Sequence, residues 1–180
     1  MKHQGTVELE TDRLFLRRLS EADANQMFKN WANDDEVTRH LSWPSHKSVE
    51  DSKKIIYLWL YNYYFLNFYQ WGIVDKATGK LIGTISCFNG DDDNETMEVG
   101  YVLAKDKWHQ GLMTEAFNKM SSFMFKEVRL KKLIARNDHT NEINKGLLEK
   151  VGFVYEKQLV DKNNKGESIV VDVYTLKSNL

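Results

Sequence analysis

Apolar residues alternate with polar ones at the start of the chain. Leu9 and the run Arg13 to Leu19, RLFLRRL, set Leu14 and Leu16 on one face against Arg13, Phe15 and Arg17 on the other, which predicts a half-buried first strand. Ser20 with Asp23 three residues later is a capping-box pattern and opens a helix predicted to reach about Trp31. The acidic turn NDDE follows, then a short helical or irregular piece to Leu41, and the one proline, Pro44, marks a loop. Ser48 with Asp51 repeats the capping pattern ahead of a helix carrying Ile55, Ile56 and Trp59. From Phe68 the period becomes two, with two strands joined by a turn at Ala77 to Lys80 and a third in TMEVGYVLA. Met113, Ala116, Phe117, Met120 and Met124 then fall on one helical face. LKKLIARN reads as a strand, and NEINKGLLEKVGF as a helix with Ile143, Leu147 and Val151 on one side and Gly152 ending it. Two strands, Val154 to Leu159 and Ser168 to Leu176, flank the turn DKNNKG. This interleaving predicts a mixed α/β fold, and no linker divides residues 1–180 into more than one domain.

Composition narrows the function. Lys plus Arg (25) nearly balances Asp plus Glu (26), so nothing supports a nucleic-acid-binding surface. The single cysteine, Cys87, has no disulfide partner, and it alternates with strand residues, which predicts burial rather than nucleophilic chemistry. Five histidines without paired spacing give no metal site, and the three aspartates of NGDDDNE lack the alternating ligands and glycine of a calcium loop. No apolar run approaches a membrane span and the N-terminus has no signal-peptide core, so the expected compartment is a reducing cytoplasm. YLWLYNYYFLNFYQW, Tyr57 to Trp71, packs nine aromatics into fifteen residues. Core burial is the ordinary reading of such rings, and walls of an acceptor pocket the alternative.

KWHQGLMTEA, Lys107 to Ala116, carries the chemistry. A helix opens on Gly111 with no Ser, Thr, Asp or Asn directly ahead of it. A strand, a glycine turn and a helix N-terminus form a generic anion site, where unsatisfied amides and the helix dipole face the ligand. No Gly-Lys-Ser/Thr follows and the spaced glycines of a dinucleotide fingerprint are absent. Thr114 offers a hydroxyl, and Lys105, Lys107 and His109 local positive charge.

Taken in order, LETDRLFLRRL, KLIGTI, EVGYVL, WHQGLMTEA, NDHTNEIN and LLEKVGF resemble the GNAT acetyltransferase superfamily, and more narrowly its Rim-type branch of ribosomal-protein N-terminal acetyltransferases. The resemblance covers nearly the whole chain. It implies a mostly antiparallel sheet of about seven strands, splayed between two halves and flanked by about four helices, with acetyl-CoA as donor and an amine as acceptor. The family's pyrophosphate loop, Gln/Arg-x-x-Gly-x-Gly/Ala, maps onto Trp108, His109, Gln110, Gly111, Leu112 and Met113. Trp108 replaces its polar first residue and Met113 its small last one, so Met113 is expected to turn into the core. The amides from His109 to Thr114 are expected to hold the pyrophosphate, with Gly111 leaving room.

By the same resemblance Val102 and Leu103 offer backbone bonds to the pantetheine arm, with an N–H near Val102 meeting the oxyanion. Asn137 and Asn141 lie beside that arm. Asn144 stands where the family's N-x-x-S element has a serine near the thioester sulfur, and an amide hydrogen-bonds a sulfur without readily giving up a proton. Glu98 matches an acidic position suited to a general base, with Tyr101 as second proton donor. His139 reads as a turn residue, and His40 and His46 flank the Pro44 loop, read first as a surface loop and second as an acceptor-side rim. Residues Trp31 to Trp59 and Gly90 to Glu95 are expected to build the acceptor pocket. The resemblance leads with acetylation of a protein N-terminus. A small amine such as a polyamine or aminoglycoside is the second choice, and a non-catalytic acyl-CoA-binding module belongs to a different class. A homodimer is expected if the strand SIVVDVYTL lies at a sheet edge.

Overall fold

In the computed structural model, which describes residues 1–163 and 165–179, the expected first strand is a hairpin. β1 (Leu9–Glu10) and β2 (Leu14–Arg17) pair antiparallel. The hydroxyl of Thr11 accepts from the Leu14 amide at 2.9 Å and closes the turn between them. Leu14 and Leu16 are fully buried, as their alternation predicts.

The other strands are β3 (Tyr69–Asp75), β4 (Lys80–Asp91), β5 (Thr96–Leu103), β6 (Lys132–Asp138), β7 (Val154–Lys162) and β8 (Ser168–Lys177). Among the described residues they form one sheet in the order β1-β2-β3-β4-β5-β6-β8-β7, in which only β5 and β6 pair in parallel. Splitting the first strand accounts for eight strands where about seven were expected. Both capping boxes form, Ser20 with Asp23 and Ser48 with Asp51. The first leads into α1 (Ala24–Met27) and a π-helical turn, Phe28–Ala32; the second opens α3 (Val49–Asn62). The irregular piece between them contains α2 (Asp35–Thr38), a fifth helix beside α4 (Leu112–Lys126) and α5 (Glu142–Lys150).

Two apolar layers sandwich the sheet. On one face Met113, Ala116, Phe117, Met120 and Met124 of α4 pack on Leu14, Trp71, Ile85 and Leu133. On the other, Met27, Trp31 and Ile56 close over Leu81 and Val102. Of the three residues expected on the buried side of α5, Leu147 and Val151 pack on the core but Ile143 is exposed, and Leu148 is the fully buried residue. The aromatic run divides as well. Tyr63, Tyr69 and Trp71 are buried, whereas Tyr57, Tyr61, Tyr64 and Phe65 lie on the surface. The SIVVDVYTL strand, β8, is an interior strand, so the edge is β7 and the expected route to a dimer through β8 is closed. The DKNNKG turn includes Asn164, which lies outside the described residues.

Candidate active site

β5 and β6 begin as neighbours and part. Their register pairs are Thr96 with Lys132, Met97 with Leu133 and Glu98 with Ile134. β5 continues to Leu103 and β6 to Asp138 without further pairing between them. A gap therefore opens from Val99 onward, and the backbone along it lacks a strand partner on that side.

Register decides which groups face the gap. A residue's N–H and C=O in a strand point to the same neighbour, and successive residues alternate. Glu95 O accepts from Lys132 N on β6, whereas Ala104 N donates to Ile82 O on the β4 side. Gly100 O, of the same parity as Ala104, accepts from the Ser86 hydroxyl of β4. Val99, Tyr101 and Leu103 thus present their polar groups to the gap and Val102 presents its own to β4, a correction to its expected backbone role. The Leu103 carbonyl is engaged by the Trp108 indole N–H at 2.8 Å, which leaves the Leu103 amide. Trp108 so anchors the loop to the strand end, a use for the ring that stands in place of a polar residue.

The loop then delivers α4 to the mouth of the gap. Gly111 is its N-cap at φ 74°, ψ 5°, in the left-handed region, and no side chain caps the helix there. His109 is also left-handed, at φ 59°. A Cβ on Gly111 would meet only Arg13 Nη2, at 3.6 Å, so the glycine is needed for its dihedral angle more than for space. Leu112 and Met113 are buried, as expected for Met113, while His109 and Gln110 are exposed and Thr114 is partly so. The first-turn amides of α4, through Thr114, are the orphan donors of an uncapped helix start. Lys105 and Lys107 do not supply charge to this site: Lys105 pairs with Glu36 at 2.5 Å and Lys107 with Asp75 at 3.1 Å.

On the α4–α5 face a chain of polar side chains crosses the gap. Tyr101 donates to Asn144 Oδ1 at 2.6 Å, and Asn144 Nδ2 donates to Asn137 Oδ1 at 2.8 Å. Asn137, almost wholly buried, donates to Asn141 O at 3.3 Å. The Asn141 side chain caps α5 through the Asn144 amide. Burial drives the Tyr101 hydroxyl well above its ordinary pKa, and the bond to Asn144 offsets only part of that. The ring packs edge-on against Phe117.

Glu98 lies three residues before Tyr101 and so projects from the opposite face of β5. Arg136 engages both its carboxylate oxygens, each at 3.2 Å, and reaches Asp161 at 3.1 Å. Beside Glu98 on β4, half-exposed Phe88 covers Gly100, with a ring carbon 2.9 Å from where a Gly100 Cβ would stand. His40, read first as a surface-loop residue, hydrogen-bonds Asp138 at the end of β6 through Nδ1 at 2.9 Å. Burial works against the Asp138 carboxylate, but His40 and Thr140 hold it below the usual range. With Glu36 on Lys105 and His40 on Asp138, the α2 segment straps the two strand ends across the mouth. His139 pairs with Asp172, consistent with a structural turn, and Cys87 is buried with its thiol pushed up by burial.

Sequence reasoning missed Arg136, the His40–Asp138 pair and the contacts of Arg13. Among the described residues no group of three or more His, Cys, Asp or Glu could hold a metal, and no helix is long and apolar enough to cross a membrane.

A family profile described as an acetyltransferase (GNAT) domain matches residues 13–154. The N-acetyltransferase YoaA of Bacillus subtilis (strain 168) is 33% identical over 148 residues, 82% of this chain and 83% of its own. Among solved structures, the RimL ribosomal L7/L12 α-N-protein acetyltransferase in complex with coenzyme A aligns with a TM-score of 0.85 at 15% identity, over 95% of this chain and 98% of that one. The microcin C7 self-immunity acetyltransferase MccE, in complex with acetyl-CoA and AMP, aligns at 0.83 and 20% identity, over 93% and 94%.

Proposed function

This chain belongs to the GNAT acetyltransferase family, and from that premise we propose that it transfers the acetyl group of acetyl-CoA directly to a primary amine, the α-amino group of a protein N-terminus. The observation that carries the reading is the gap between β5 and β6, bridged on the α4–α5 face by Tyr101, Asn144 and Asn137, with an uncapped helix start at its mouth. The pyrophosphate sits on the α4 amides and the pantetheine runs into the gap along the Leu103 and Tyr101 backbone, past Asn137 and Asn141. The acceptor arrives from the Glu98 face.

Glu98 takes a proton from the ammonium, directly or through a water. Arg136 occupies one lone pair on each carboxylate oxygen, and a carboxylate has about four such sites. The free amine attacks the thioester carbonyl, a C–N bond forms, and a backbone N–H on the open edge meets the oxyanion, worth about 3 kcal/mol when aligned. Collapse breaks the C–S bond and releases CoA thiolate. Tyr101, its hydroxyl proton turning from Asn144 Oδ1 to the sulfur, stabilises that thiolate by hydrogen bonding without surrendering the proton. A thiolate of ordinary pKa, about 8.5, is a weaker base than a tyrosinate whose pKa burial has raised. Water completes protonation, so serine in place of Asn144 is not required.

Phe88 supports an amine carried on a larger molecule. Its ring flanks Glu98, where it offers a face to an ammonium, and it lines a cavity of about 320 Å³ with Phe65, Phe68 and Asn62 that suits the first side chain of a peptide. A small amine is the second reading, favoured by the same carboxylate without the cavity. Thiol release from acetyl-CoA, measured with N-terminal peptides, purified ribosomal proteins, polyamines and aminoglycosides, tests both. Tight CoA binding with no acceptor raising turnover above hydrolysis would sink the enzyme reading in favour of a binding module.

A further inference from the structure

Arg13 belongs to the LETDRL motif at the opposite side of the sheet from β6, and its contacts converge on the loop before α4. Its Nε bonds Glu115 Oε2 at 2.6 Å, its backbone N–H bonds Glu115 Oε1 at 2.9 Å, and Thr11 donates to the same oxygen at 2.5 Å. Nη1 donates to the Gln110 carbonyl at 3.0 Å, and Nη2 lies 3.6 Å from the Cβ position of Gly111. The guanidinium thus joins the first turn of α4 to the turn ahead of it, across the glycine.

We propose that Arg13 is a positioning residue for the phosphates of CoA, acting through the Gln110–Gly111 peptide; this rests on the acetyl-CoA reading above. In a trans peptide the C=O and the N–H point in opposite directions. Arg13 fixes the Gln110 carbonyl on its own side, so the Gly111 N–H is turned away from Arg13 and toward the mouth. The same guanidinium neutralises Glu115, whose charge in the first turn would otherwise compete with a bound phosphate for the helix dipole. Burial opposes that carboxylate, and its bonds from Thr11 and Arg13 keep it ionised below its usual range. Thr11 and Arg13 so have a role in this chain that their place in the β1–β2 turn does not suggest.

The test compares acetyl-CoA with S-acetylpantetheine, which has the same thioester and no phosphates. Arg13→Ala is expected to raise KM for acetyl-CoA about tenfold, about 1.4 kcal/mol, with kcat and the KM for S-acetylpantetheine unchanged. Glu115→Gln should shift acetyl-CoA alone by a smaller factor, and Arg13→Lys, which cannot bridge both partners, should resemble Arg13→Ala. Amide NMR supplies a second readout: at saturating CoA the Gly111 resonance moves in the wild type and moves markedly less in Arg13→Ala. Equal losses for both donors, or no loss for either, would overturn the proposal. Failure of the wild-type chain to bind CoA at all would instead remove the acetyl-CoA reading, and the positioning role with it.

Discussion

Gly111 allows two explanations, room or dihedral angle, and substitutions separate them. At φ 74° and ψ 5°, an alanine is strained by about 1–2 kcal/mol relative to right-handed backbone. Its methyl meets only Arg13 Nη2 at 3.6 Å, an ordinary contact, so no clash adds to that figure. If the loop holds its shape, the strain appears in stability, and at roughly 2–4 °C per kcal/mol for a chain of this size the melting temperature falls by about 2–8 °C. If the loop relaxes instead, the Gly111 amide swings from the mouth and CoA affinity falls by up to about thirtyfold, the equivalent of about 2 kcal/mol. Asparagine tolerates the left-handed region and should lose less than half as much in either quantity. Thermal melts and calorimetric CoA titration of Gly111→Ala and Gly111→Asn give the numbers. CoA binding weakened more by asparagine than by alanine, at unchanged melting temperature, would mean that side-chain volume over the phosphates decides the position and that the dihedral reasoning is wrong.

Further outcomes follow from other contacts. Glu98→Gln should lower kcat/KM by about 10²–10⁴-fold and flatten the acidic limb of its pH profile, whereas His40→Gln should leave that limb in place; the reverse result would transfer the base to the His40–Asp138 pair. Tyr101→Phe should reduce kcat less than Glu98→Gln does, because the hydroxyl donates a hydrogen bond and not a proton, and stopped-flow thiol release measures the difference. Asp23→Ala should cost about 3 kcal/mol in urea unfolding, since the buried carboxylate takes both Arg17 nitrogens at 2.8 and 2.9 Å. His46, bonded to Ser52 at 2.8 Å, is held by burial below its unfolded value of 6.5. The unfolded chain therefore binds that proton more readily, and its contribution is intact above pH 6.5 and lost as pH falls through and below it. His46→Asn should flatten the stability curve over that interval.

Local signals were legible where a residue answers to near neighbours. Two capping boxes form where Ser20 and Ser48 precede an aspartate by three, and the methionine-rich face of α4 is buried as its period predicts. The helical period left Ile143 and Leu148 exchanged because which residues of a short helix face the core depends on its tilt against β6. The parity of Val102 depends on hydrogen-bond register, which alternation of side chains does not encode. Arg13 with Glu115 and His40 with Asp138 lie 102 and 98 residues apart in sequence, and no local pattern marks such pairs. The aromatic run failed as a guide for a related reason: α3 shows one side to the core, and a helix crowded with rings must leave some outside.

Tyr101 and Glu98 leave β5 on opposite sides, which has a consequence for how such a scaffold diversifies. On the proposed reading the donor is gripped by the β5 edge at Tyr101 and Leu103, by Asn137 of β6 and by the starts of α4 and α5, while the acceptor meets Glu98, Phe88 of β4, α2 and α3. Substitutions in one set need not disturb the other. A lineage can exchange the molecules it modifies by altering α2, the Pro44 loop and the cavity behind Phe88, keeping its donor throughout. The surface rings of α3 lie on the side free to change.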